Sequence, residues 1–184
     1  TANDGGGIHC LNNSNPIIQE AFISGNSTQN GGGIACNSSS PRLIDVILSG
    51  NSALNHGGGI NCYNNSSPSL INVTISDNTA GWGGGVAVSA NSNPVLVNTI
   101  LWNNTPEEIG SGEGLDSITI AYSNVSGGQE NITFEDGDTI IWLQGNIDVD
   151  PLFVDGVYGD FQLQDESPCI DAGDNTVVTT SRDL

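Results

Sequence analysis

GGGINCYNNSSPSLINVTISDN, residues 57–78, is one unit of a repeat, and its copies on either side decide the fold. The triple glycine recurs at residues 5–7, 31–33, 57–59 and 83–85, each start 26 residues after the last. A fixed period of about 20–50 residues marks a solenoid, in which each unit is one coil of a stack. Every unit runs from the glycines through an apolar residue, a Cys or Val two positions on, an Asn/Ser cluster, a proline and a strand-like run. Ten residues after Pro16, Pro41, Pro68 and Pro94 stand Asn26, Asn51, Asn78 and Asn104. The second unit is one residue short before its proline and one long after Asn51, so the 26-residue advance survives. Coil length is therefore under constraint, as it must be if coils stack in register.

The apolar positions form columns. Ile8, Ile34, Ile60 and Val86 make one; Cys10, Cys36, Cys62 and Val88 make another, two residues on and hence on the same face of a strand. A second stripe holds Ile18, Leu43, Leu70 and Leu96, and a third holds Ile23, Leu48, Ile75 and Leu101. Turn-forming Gly, Asn, Ser and Pro separate the stripes. Three short strands per coil with apolar side chains inward describe an all-β, single-stranded parallel β-helix. The spacing of three and four that a helical solenoid needs is absent. Pro suits the first residue of a strand, where its missing N–H breaks no ladder. The Asn column is expected at a bend, in left-handed backbone, with amides pairing along the stack.

After Asn104 the period loosens. Residues 106–116 read as a loop with Glu107, Glu108 and Glu113; Ile118–Asn124 resembles the strand-to-Asn half of a coil. Ile132–Phe134, Ile140–Trp142, Pro151–Val154 and Phe161–Leu163 read as further short strands of irregular coils. The expectation is one domain over 1–184, regular in 1–105 and irregular with a closing segment in 106–184. About seven rungs spaced at about 4.8 Å give a column on the order of 35 Å tall.

Acidic residues number 21 against two basic ones, Arg42 and Arg182, for a net charge of −19. Nucleic acid and anionic membrane are thereby excluded as partners, since phosphate neutralisation needs Lys and Arg. No apolar run reaches the roughly 20 residues of a bilayer span, so membrane insertion is not expected. The opening Thr1-Ala2-Asn3-Asp4 reads as the tail of an earlier repeat, and 1–184 as a piece of a longer exported protein.

The boxes GGGI or GGGV, with Ile23-Ser-Gly-Asn26, Leu48-Ser-Gly-Asn51, Ile75-Ser-Asp-Asn78 and Leu101-Trp-Asn-Asn104, resemble the repeats of secreted bacterial right-handed β-helix proteins. Chlamydial polymorphic outer-membrane proteins, with paired GGA-apolar and FxxN boxes, are among these. Here Gly replaces Ala and an aliphatic residue replaces Phe. Asn146–Phe153, Asp160–Leu163 and Ser167-Pro-Cys-Ile-Asp-Ala-Gly-Asp174 resemble the closing segment of large exported bacterial β-helix proteins. The resemblance implies a right-handed β-helix and an extracellular or cell-surface location; it carries no catalytic residue over.

Candidate chemistry is sparse. Cys10, Cys36 and Cys62 read as a ladder of buried free thiols, because parallel Cβ vectors about 4.8 Å apart exceed the usual disulfide spacing. Cys169 reads as structural. Glu20 with Asp45, and Glu107 with Glu108, are the carboxylate pairs a glycoside hydrolase would need, but Asn72 and Asn98 continue the first column and point to turn-capping. A lyase would need a base, which a chain without Lys supplies poorly. Asp148 and Asp150 share a face and are the calcium candidates, with Asp136, Asp138, Asp155 and Asp160 near them in sequence. His9 and His56 read as surface turn residues. Trp82, Trp102 and Trp142 would make a sugar-stacking platform where they point out, as Trp102 should beside inward Leu101. Asn12, Asn37, Asn64 and Asn103 begin N-x-Ser/Thr triplets. The resulting reading has no catalytic residue and no cofactor other than calcium. It is a non-enzymatic extracellular structural or adhesive module whose partners are its own copies, stacked end to end as a filament, or extracellular glycans. The alternative is a carbohydrate-binding or polysaccharide-degrading β-helix protein.

Overall fold

The structure, a computed structural model, describes residues 3–177; Thr1, Ala2 and Arg182 lie outside the described residues. The first coil contributes β1 (Ile8–Leu11), β2 (Ile17–Ser24) and β3 (Ser27–Asn30), and the second β4 (Ile34–Asn37), β5 (Arg42–Ser49) and β6 (Ser52–His56). Next come β7 (Ile60–Tyr63) and β8 (Ser69–Ser76), then β9 (Val86–Val88), β10 (Val95–Val97) and β11 (Ile100–Trp102). A fifth coil has β12 (Ile109–Ser111), β13 (Ser117–Ala121) and β14 (Asn124–Val125), followed by β15 (Ile132–Thr133) and β16 (Thr139–Trp142). β1, β4, β7, β9, β12 and β15 stack in that order as one parallel sheet. The chain is thus a parallel β-solenoid of about five turns with coils near 26 residues.

The triple glycine is explained at the third coil. Gly57 has φ +66°, a conformation that costs an L side chain about 1 kcal/mol or more. A Cβ on Gly58 would lie 2.4 Å from the Gly84 carbonyl oxygen, and one on Gly59 2.6 Å from that of Gly85. The first glycine turns the chain, and the next two let consecutive coils close on each other's backbone.

The register agrees with the columns: Ile8, Ile34, Ile60, Val86, Ile109 and Ile132 are successive partners, as are Cys10, Cys36, Cys62 and Val88. From the second coil to the fifth these side chains are fully buried and Ile132 nearly so, and each such Ile stabilises the stack by about 1.5–3 kcal/mol. Each proline immediately precedes its strand and keeps its carbonyl in the ladder; Pro41 O, for example, accepts from Ser69 N–H. β2, β5 and β8 bend within themselves at Glu20, Asp45 and Asn72, all at φ near +50°; in the next coil Asn98 separates β10 from β11. The bend creates a fourth inward column that the stripes above did not include: Ala21, Val46, Val73 and Thr99.

The compensated indel has a visible mechanism. The first coil turns through two left-handed residues, Asn12 and Asn13, and the second through one, Ser38. The returned residue is a bulge in β6, where Thr28 pairs with Ala53 but Asn30 with His56, and Leu54 is pushed into solvent.

Three expectations need correction. The left-handed residue is not the ladder Asn but the one before it, Gly25, Gly50, Asp77 or Asn103; that turn swings the following Asn side chain into the column. His9 sits on β1 rather than in a turn. Pro151–Val154 and Phe161–Leu163 add no coils. They yield β17 (Phe153–Asp155) and β18 (Asp160–Leu163), an antiparallel pair. Phe153 and Phe161 meet edge to face at 5.1 Å, and Phe161 reaches Phe22 of the first coil at 6.4 Å. The last part of the chain therefore doubles back along the outside of the column. Phe134, Ile140 and Trp142 pack against the core at its C-terminal end. No helix among the described residues is long and apolar enough to cross a membrane.

Candidate functional site

Two polar ladders run inside the column. Asn26 Nδ2 donates to Asn51 Oδ1 (3.0 Å), Asn51 Nδ2 to Asn78 Oδ1 (3.0 Å) and Asn78 Nδ2 to Asn104 Oδ1 (2.9 Å). The same oxygens accept the backbone N–H of the preceding ladder residue. Glu108 ends the series, its carboxylate accepting both the N–H and the amide of Asn104. The second ladder escaped the sequence reading. Ser14 N–H donates to Ser39 Oγ, Ser39 N–H to Ser66 Oγ and Ser66 N–H to Ser92 Oγ, each at 3.1 Å. It ends on Asp116, which accepts from Ser92 N–H, and Asp138, which accepts from Asp116 N–H. The signal was present: each serine stands two residues before a proline.

These engagements account for the carboxylates singled out above. Glu108 is buried inside the column, and burial raises its pKa to about 7. Glu107 accepts the N–H of Gly83. Asp45 is buried and accepts from Asn72 Nδ2 at 2.9 Å, while Glu20 is exposed one coil away. Asp148 accepts from Gly127 N–H and Asp150 from Leu152 N–H, both at 2.9 Å, so both cap turns. Among the described residues no three His, Cys, Asp or Glu side chains converge as a metal ion requires. Cys10, Cys36 and Cys62 are buried free thiols; the neighbouring Cys36 and burial push the Cys10 thiol up, keeping it protonated.

The closing motif fastens the tail. Ser167 Oγ donates to Pro151 O at 2.6 Å, and Asn124 Nδ2 approaches Cys169 Sγ at 3.2 Å. Asn98 accepts from Asp174 N–H at 2.8 Å and donates to Asp174 O at 3.1 Å. Asp174 thus extends the bend column of Asp45, Asn72 and Asn98, and Gly173 leaves room for the Asn98 amide.

The three tryptophans part company. Trp142 pairs in register with inward Ile120 and packs on the core. Trp102 is half-buried between the column and the tail, beside Asp77 and Phe153. Trp82 lies outside the six-stranded sheet, its indole across Gly110 and Gly112, and His56 meets it edge-on at 5.5 Å. Beside it opens a cleft of about 610 Å³ lined by His56, Tyr63, Trp82, Ser89, Glu113 and Glu135 among others. Tyr63 is held by its hydroxyl, which donates to Asp4 at 3.3 Å.

The Chlamydia polymorphic membrane protein repeat is a family model that matches residues 45–63, the stretch from the Asp45 bend through Leu48–Asn51 to the glycines and β7. No curated protein and no solved structure matches the chain. With the stacked sheets, the family match makes this a β-helix repeat region similar to the Chlamydia polymorphic membrane protein repeat.

Proposed function

We propose that the chain is a non-enzymatic structural and adhesive module of an extracellular, cell-surface bacterial protein. One observation carries the reading: the polar side chains that recur from coil to coil are engaged in holding the coils together. Asn and Ser form the inner ladders, and the paired carboxylates cap turns or ladder ends. Of the carboxylate pairs singled out in the sequence, Asp45 and Glu108 are buried and Glu107 accepts the Gly83 N–H. The repeat match supports a surface location, and its family is not one of enzymes.

End-to-end stacking is part of the proposal. β1 and β2 have a strand partner on one edge only among the described residues, and such an edge templates further pairing. On this reading a second copy of the chain supplies the next rung. Electron microscopy at high protein concentration is expected to show rods longer than one column; isolated short rods alone would end the filament part of the proposal.

The enzymatic alternative is tested by incubating the protein with neutral and acidic polysaccharides. No cleavage is expected. Cleavage abolished by a single Asp or Glu substitution would overturn the module reading.

A further inference from the structure

We propose that the cleft beside Trp82 binds an amino-bearing saccharide, a pyranoside whose ring lies against the indole and whose ammonium faces Glu113 and Glu135. The volume, about 610 Å³, lies within the roughly 300–1,000 Å³ of small-molecule sites. The aromatic seat is built into the backbone. A Cβ on Gly110 would lie 2.7 Å from Trp82 Nε1, and one on Gly112 3.3 Å from the far edge of the ring. Glycine at 110 lets the indole rest on β12, a Cβ at 112 would press closely on the ring's far edge, and His56 meets the ring from the side. Tyr63, tethered to Asp4, supplies a second aromatic wall.

Charge selects the ligand. The cleft presents two exposed carboxylates, Glu113 and Glu135, and among the described residues neither Arg nor Lys lines it. The whole chain carries −19 with two Lys and Arg together. Uronates, sialates and phosphates are repelled from such a site. A hexosamine offers what the lining complements: an apolar ring face for the indole, hydroxyls for Ser89 and Asn64, and an ammonium for the carboxylates. An ammonium within about 6 Å of an indole also gains cation–π attraction. Occupancy of the cleft does not depend on the adhesive role, since a free oligosaccharide would bind whether or not the column holds a surface.

The test is calorimetric titration of the full chain with a glucosamine oligomer at mildly acidic pH. The fully N-acetylated oligomer and oligogalacturonate of equal length serve as comparisons. Binding is expected for the amine form, at least about tenfold weaker for the acetylated form, and none for the uronate. Trp82→Ala and the double variant Glu113→Gln/Glu135→Gln are each expected to weaken the amine form about tenfold or more. Asp165→Asn/Glu166→Gln removes the same charge from exposed tail positions and should leave binding unchanged. Three results would each overturn the proposal: no binding of the amine form, equal binding of the acetylated form, or equal weakening by the tail variant. The last of these would reduce the interaction to attraction by overall charge.

Discussion

Between Gly5 and Asn104 each laddered polar side chain inside the column meets its own kind one coil away; beyond Asn104 both ladders meet carboxylates. Asn stacks on Asn and Ser on Ser while the 26-residue period holds. Glu108 then takes the place of an Asn, and Asp116 and Asp138 take the places of serines. An amide donates to the next coil and accepts from the last, so an Asn ladder propagates indefinitely. An ionised carboxylate only accepts, so the amide-to-amide series ends at Glu108, whereas the serine ladder, carried by backbone N–H groups, runs on through Asp116 to Asp138.

The largest expected effect comes from breaking the first region at its middle. Asn78→Ala strands the backbone and amide donors of Asn51 and removes donors to Leu48 O and Asn104. Unmade buried hydrogen bonds cost about 1–3 kcal/mol each, so a loss of about 3 kcal/mol or more is expected in denaturant unfolding. Asn146→Ala in the irregular part, whose column runs through Thr99 and Ser123 rather than along the Asn ladder, is half-buried and lies near the column's end; about half that loss is expected. Equal losses would erase the distinction between the two regions.

Glu108 sharpens the comparison through pH. Its folded pKa lies above the ordinary Glu value, so the folded state holds the proton more tightly than the unfolded chain. The stability this confers is fully present below the ordinary value and is lost as pH rises through about 7. The change is about 3 kcal/mol across that window. Glu108→Gln should flatten the slope; an unchanged slope would place the titration elsewhere.

The tail is a smaller matter. Phe161→Ala removes the ring that joins Phe153 to Phe22. Limited proteolysis is expected to cut after Leu143 several-fold faster, with the column left intact. Global unfolding in the same variant would make the tail integral to the stack. Smallest of all, a chelator should leave the melting temperature unchanged, because Asp148 and Asp150 are occupied by Gly127 and Leu152 N–H groups. A fall on chelation would put a metal ion at these residues.

How much of this was legible in the sequence follows from the same contrast. Columns repeated four times, such as Ile34, Cys36 and Asn51, announce their direction because only stacking makes identity at 26 residues useful. The serine ladder was hidden by company: Ser39 and Ser66 stand among other Ser and Asn residues, where composition masks position. Phe153 and Phe161 look like strand residues and are; only tertiary contact with Phe22 decides that they fold back. The cleft was hardly legible, since Tyr63, Trp82, Glu113 and Glu135 come from three or more coils and repeat in none.

Amide hydrogen exchange read by mass spectrometry tests most directly the claim that the repeated coils hold the molecule together. The account predicts that β4, β5, β7 and β8, buried on both stacking sides, exchange only by global unfolding. The tail strands β17 and β18 should exchange orders of magnitude faster through local opening. Uniform protection from β1 to β18, or fastest exchange in the second and third coils, would contradict it.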